Sequence, residues 1–142
     1  MTAAHEQSET HRYVAHYPEH GTREGDPHYK DFSSYHRRTK DNPEVYQCAV
    51  GKRRGDFSDC TLDLPLELHH DHIEWAVQNG VDLAMLERQY PGVSDPDEVG
   101  AWVESAANLE WLCQFHHRGH GGAHVASASD FEAQHFVKGY LS

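Results

Sequence analysis

Two apolar segments crowded with histidine constrain this chain more than anything else in it: LELHHDHIEW at residues 66–75 and NLEWLCQFHHRGH at residues 108–120. Neither is a terminal tag, because each is embedded in hydrophobic sequence well inside the chain. Eight of the 14 histidines fall between His69 and His135. Imidazoles set among leucine, tryptophan and phenylalanine are drawn inward with them, and inside they need partners. A metal centre is the partner that uses several at once. Others (His5, His11, His16 and His20) lie in a polar arm and are expected to face water.

The three cysteines point the same way. An odd number argues against a disulfide framework and for metal or free thiols. A chain of 142 residues fits one domain with a modest core. Its hydrophobic fraction of 37% and mean hydropathy of −0.81 are low, and a metal staple would offset that. No apolar run reaches the length of a membrane span. MTAAHEQSETHRYVAH has no apolar core of a signal peptide, so the expected location is cytoplasmic, with no membrane partner.

Net charge is −11, which alone speaks against nucleic acid as a partner. The distribution is uneven, however. Residues 1–60 hold nine of the twelve Lys and Arg, including Arg37-Arg38, Lys40 and Lys52-Arg53-Arg54, whereas residues 71–110 carry nine acids against Arg88 alone. One basic face leaves contact with DNA open.

Along the chain, residues 1–27 read as an extended polar arm. Asp26-Pro27 start a short helix through about Lys40, ended by Asn42-Pro43. Val45, Tyr46, Cys48 and Val50 read as a short strand or turn before a Gly-Lys-Arg-Arg-Gly loop. Leu62, Leu64, Leu66 and Leu68 alternate with polar residues and predict a half-buried strand running into His69-His70, with Pro65 restricting it to an edge or an irregular start. Residues 74–107 read as helical, with a second start at Asp95-Pro96-Asp97-Glu98. Leu109, Trp111 and Cys113 predict a second short strand, followed by a short helix from Gln114 to about His120. Ser129-Asp130-Phe131-Glu132 caps a last helix that buries Ala133, Phe136, Val137 and Tyr140. The fold class expected is α+β.

A strand ending in His-His, then Asn, then a short strand and a His-bearing helix resembles the HNH endonuclease family. The resemblance spans residues 48–124, with 74–107 as a helical insertion. It rests on Leu-Glu-Leu-His-His and on Asn-Leu-x-x-Leu-Cys-x-x-His-His. It implies a ββα-metal core in a nuclease domain at 41–142, preceded by an arm and short helix at 1–40. It also implies DNA as partner and hydrolysis of phosphodiester bonds with one catalytic divalent ion (Mg, Mn, Ni or Zn), in a protein of bacterial or phage type. A catalytically silent, zinc-stabilised DNA-binding or adaptor module on the same fold is the alternative.

By that resemblance His70 is the general base, since a neutral imidazole can take a proton from water near pH 7. His69 and His117 are ligands of the catalytic ion. Asn108 accepts the base's ring N–H and fixes its tautomer, and Arg118 faces the scissile phosphate. A rival register makes Asp71 the ligand and His72 the base. His120 and His124 both remain candidates for a further ligand. Relatives often carry a structural zinc bound by Cys-x-x-Cys at the fifth and eighth residues after the Asn. Here those positions are Cys113 and His116, with Cys48 and Cys60 as the upstream pair, eleven residues apart and not the usual two. DNA is expected along the face of Lys52, Arg53 and Arg54.

Overall fold

In a computed structural model, which describes every residue except 9, 11, 13, 138 and 142, the histidine-rich segments are the two strands of one small sheet and the helix that follows it. Strand β1 (Glu67–His70) pairs antiparallel with β2 (Leu109–Leu112), matching Glu67 to Leu112, Leu68 to Trp111, His69 to Glu110 and His70 to Leu109. Helices α1 (Tyr29–Thr39), α2 (Ala49–Arg54), α3 (Leu83–Gln89), α4 (Pro96–Val103), α5 (Gln114–Arg118) and α6 (Ala128–Gln134) surround it. The class is α+β. No helix among the described residues is long and apolar enough to cross a membrane.

Alternation along a strand assigns side chains to faces. Leu68, His70, Leu109 and Trp111 share one face and α1 covers it. Thr39 Oγ1 accepts from Trp111 Nε1 at 2.9 Å, His36 packs on the Trp111 ring, and Phe32 stacks on His70. Glu67, His69, Glu110 and Leu112 share the other face, toward α2 and α5. There Cys48, Val50, Leu112 and Cys113 form a core, with Phe57, Leu66 and Phe115 packed around it. Leu112 is fully buried, and truncating such a leucine to alanine costs about 2–5 kcal/mol. The helical insertion carries a second core of Leu86, Val93, Val99 and Val103.

Local chemistry explains most boundaries. Asp95 caps α4 by accepting from Asp97 N, and Pro96 occupies the first turn, where its missing N–H is no loss. Asp82 caps α3 in the same way. The 74–107 stretch is therefore helical in pieces: a 3-10 turn at Trp75–Gly80, then α3 and α4, separated at Pro91-Gly92.

Three expectations need correction. The strand begins at Glu67, and Leu62 and Leu64 lie exposed in a turn. Nothing among the described residues pairs with that stretch, and Pro65 lacks the N–H a ladder needs. Residues 49–54 are helix α2, neither strand nor loop, closed by Gly55 at φ 66°. The last helix is capped by Ser127, two residues before the expected Ser129, and runs from Ala128 to Gln134. Phe136, Val137 and Tyr140 are therefore exposed, and Gln134 and His135 are the buried residues. In the arm, His5, His16 and His20 are exposed as expected, and His11 lies outside the described residues.

Candidate metal centres and groove

Helix α5 is short, but it aims consecutive histidines at two different places. Cys113 is its N-cap and accepts from His116 N, which sets thiol and imidazole side by side. The His116 Nδ1 atom lies 3.1 Å from Cys113 Sγ, 3.4 Å from Cys48 Sγ and 3.6 Å from Cys60 Sγ. Tetrahedral zinc with Zn–S near 2.3 Å and Zn–N near 2.0–2.1 Å places N and S about 3.5 Å apart. The four donors thus already stand at the spacing of one coordination shell. All three cysteines are free thiols, Cys48, Cys113 and His116 are buried, and His116 Nε2 has no hydrogen-bond partner among the described residues, with Asp59 Oδ2 3.5 Å away.

The thiols also compete for charge. A hydrogen bond from Cys48 holds the Cys113 thiol well below the usual range, with further help from His116. The same bond, with burial, pushes Cys48 up. Burial, followed by the charge of Cys113, pushes Cys60 up to about 12. One thiolate suppresses its neighbours until a cation neutralises the set. This Cys3His group can hold a metal ion such as zinc.

His117 points the other way. Its Nε2 lies 3.1 Å from His124 Nε2, and both rings stand edge-on to His69 with centroids 5.0–5.1 Å away. Ligand atoms of all three lie within 4.8 Å of one another. Two imidazole nitrogens about 3 Å apart is the spacing expected when both bind one ion at about 2.0–2.1 Å. Glu67 Oε1 receives His117 Nδ1 at 3.2 Å, a carboxylate behind a ligand imidazole that fixes its tautomer. Burial, then the charges of His117, His124 and His70, lower His69 to about 3, so it is a neutral donor at pH 7. His124 arrives through a glycine turn: Gly121 takes φ 82°, and a Cβ on Gly122 would sit 2.7 Å from Phe115 O. That close return lets Ala123 N and His124 N bond to His116 O and His117 O. Of the two candidates for the further ligand, His124 joins this group, and His120 is exposed and belongs to no donor group among the described residues.

An open groove of about 500 Å³ runs past this corner, lined by His69, His70, Asp71, Glu74, His124 and Phe131 among others. His70 lies on the opposite sheet face from His69 but reaches the groove from the end of β1. Its Nε2 meets Glu104 Oε2 at 2.9 Å and its Nδ1 lies 3.5 Å from Glu74. His72 packs on Tyr90 and Trp102 with its Nε2 3.3 Å from Asp71. Asp71 and Glu110 form an alternative donor group with His69.

Asn108 does something other than expected. Fully buried, it accepts at Oδ1 from His72 N and Ile73 N, and donates through Nδ2 to Ile73 O and Val103 O, all at 2.8–2.9 Å. Its amide is saturated by backbone and does not touch the His70 ring. It holds the loop that leaves β1.

The basic triplet is also redirected. Arg54 is almost buried against Asp59, 2.7 Å away. Arg53 reaches Glu110 at 2.6 Å and Asp71 at 3.7 Å, and contacts His135. Lys52 remains exposed with its Nζ on Glu44 O. Arg118 is 60% exposed, with Nε on Glu67 Oε1. Arg54 turns inward to the partly exposed Asp59, and Arg53, though exposed, is held at its tip by the buried Glu110.

Three carboxylates that sequence reading missed, Glu67, Glu104 and Glu110, back the histidines. Glu67 was findable, because residues two apart on a strand share a face with His69. Burial, then Asp71, raise Glu110 to about 7. Glu104 carried no local signal among the acids of the insertion. Comparisons with family models, with curated proteins and with solved structures found no match for this chain.

Proposed function

We propose that this chain is a metal-dependent endonuclease of the HNH type that hydrolyses DNA phosphodiester bonds. In this reading the hairpin and α5 are a ββα-metal core, and the Cys3His corner holds a structural zinc. The observation that carries it is the convergence of His69, His117 and His124 on an open groove, beside a fourth histidine held by a carboxylate.

The donor set fits one divalent ion: three imidazoles, one backed by Glu67, and space for further ligands on the groove side. Such an ion would polarise a phosphate and stabilise the leaving oxygen. With the proton on Nε2 shared toward Glu104, the Nδ1 lone pair of His70 is free to take a proton from an attacking water. Arg118, next to His117 and largely exposed, is placed to pair with a phosphate oxygen. His72 lines the same groove, and His70 is preferred because its orienting partner, Glu104, is fully buried, whereas His72 faces the partly exposed Asp71. Asn108 supports the site by fixing the loop between them.

DNA approach is assigned to α1 and not to α2. Arg37, Arg38 and Lys40 are exposed at the end of α1 and carry no ion pair among the described residues. Among the described residues they are the densest group of Lys and Arg outside ion pairs.

The test is nicking of supercoiled plasmid with Mg²⁺, Mn²⁺, Ni²⁺ or Zn²⁺, alongside His70→Ala and His72→Ala. Wild-type cleavage lost about 10²- to 10⁴-fold in His70→Ala is expected. Loss in His72→Ala alone would move the base to His72. Binding without cleavage under every ion would favour a silent DNA-binding module.

A further inference from the structure

Glu104 sits at the end of α4 with a side chain that has no exposure to solvent, yet both its oxygens are engaged. Oε1 accepts from Arg23 Nη1 at 2.9 Å and Oε2 meets His70 Nε2 at 2.9 Å. Arg23 comes from the N-terminal arm, 81 residues away in sequence, and lies over the rings of Phe32 and Trp75. Phe32 in turn stacks on the His70 ring, 5.4 Å between centroids at an interplanar angle of 26°. One face of the imidazole is thus packed, one nitrogen is bound, and the other nitrogen is directed at the groove.

We infer that Glu104, anchored by Arg23, is the positioning residue for His70, so that the N-terminal segment completes the nuclease site; this rests on the endonuclease reading above. A buried carboxylate on Nε2 selects the tautomer in which Nδ1 carries the lone pair. It also holds the ring in one orientation, as the carboxylate of a Ser-His-Asp triad does for its histidine. Glu74, also facing the ring, is 3.5 Å from Nδ1 and 46% exposed, and is the weaker partner. An Arg–Glu pair that only tied the arm to the core would not need to spend its second oxygen on His70. The assignment also explains why Asn108, occupied by backbone, is not the orienting group.

The test compares wild type, Glu104→Gln and Arg23→Gln by two readouts: steady-state plasmid cleavage, and ¹⁵N NMR of the His70 ring in the zinc-loaded protein without a second metal. Arg23 is partly exposed, so its variant is chosen to fold where Glu104→Gln does not, and retained zinc checks the fold of each. In wild type the ring is expected as a single Nε2–H tautomer. Glu104→Gln is expected to mix the tautomers and lower kcat about 10- to 100-fold at unchanged KM. Arg23→Gln is expected to lower kcat several-fold, also at unchanged KM. A folded variant of either kind with wild-type kcat and an unchanged tautomer would overturn the inference while leaving the nuclease reading intact. A wild type that cleaves no DNA would overturn the nuclease reading, and the tautomer spectra would then decide the positioning role by themselves.

Discussion

Neighbours in sequence, His116 and His117 serve two corners of opposite design. His116 closes a buried set with three thiols, whereas His117 joins two other imidazoles at the edge of a groove. The first corner offers four protein donors and no opening. The second offers three donors beside an open groove. Closed four-donor sites stabilise a fold, and sites with open positions do chemistry. One five-residue helix can supply both because successive residues on a helix point about 100° apart.

That contrast is broken most forcefully at the closed corner. Cys113→Ser should lose bound zinc and the fold with it, since structural zinc contributes on the order of 10 kcal/mol in small metal-dependent folds. Elemental analysis and near-ultraviolet circular dichroism would read this out. A folded Cys113→Ser protein with full zinc would mean that the corner is not a metal site.

At the open corner, His117→Ala should cost at least about 100-fold in cleavage while the zinc stays bound, if the two sites are separate. Its melting temperature should move by no more than a few degrees, about what 1 kcal/mol produces in a domain of this size. Mild chelation should act similarly, abolishing cleavage before unfolding. Loss of zinc in His117→Ala would show that the corners are one cooperative unit.

Asn108→Ala should destabilise by about 3 kcal/mol or more, because two backbone N–H groups lose their acceptor at about 1–3 kcal/mol each. Chemical denaturation would measure it. A change below about 1 kcal/mol would show that water takes over the role.

The smallest effect expected is electrostatic. Replacing Arg37, Arg38 and Lys40 by alanine should flatten the dependence of log K on log salt by up to about 3, near 0.9 per phosphate contact. Arg53→Ala and Arg54→Ala should instead lower stability, since each leaves a carboxylate unpaired. A salt slope that responds to α2 and not to α1 would return DNA to the originally expected face.

Much of the layout was legible without coordinates. Asp95-Pro96 announces α4, and the alternation of Leu109 and Trp111 announces β2. The spacing of Cys113 to His116 places two donors within one helical turn of each other, where local geometry decides. The 62–68 alternation misled because period-2 patterning describes a strand only when a partner strand exists. Phe136, Val137 and Tyr140 misled because apolar spacing says where a helix would bury residues, and not where the helix stops.

The sequence by itself determined the kinds of donor available, the crowding of histidines into two apolar segments and the α+β class, because these follow from chemistry and from spacings of a few residues. Only the tertiary structure decided which partner each group takes. Cys48 meets His116 across 68 positions, His70 meets Glu104 across 34, and Arg23 meets Glu104 across 81. Arg53 pairs with Glu110 and Arg54 with Asp59 for the same reason. An ionic group binds the nearest buried opposite charge, and which one is nearest depends on how the whole chain packs.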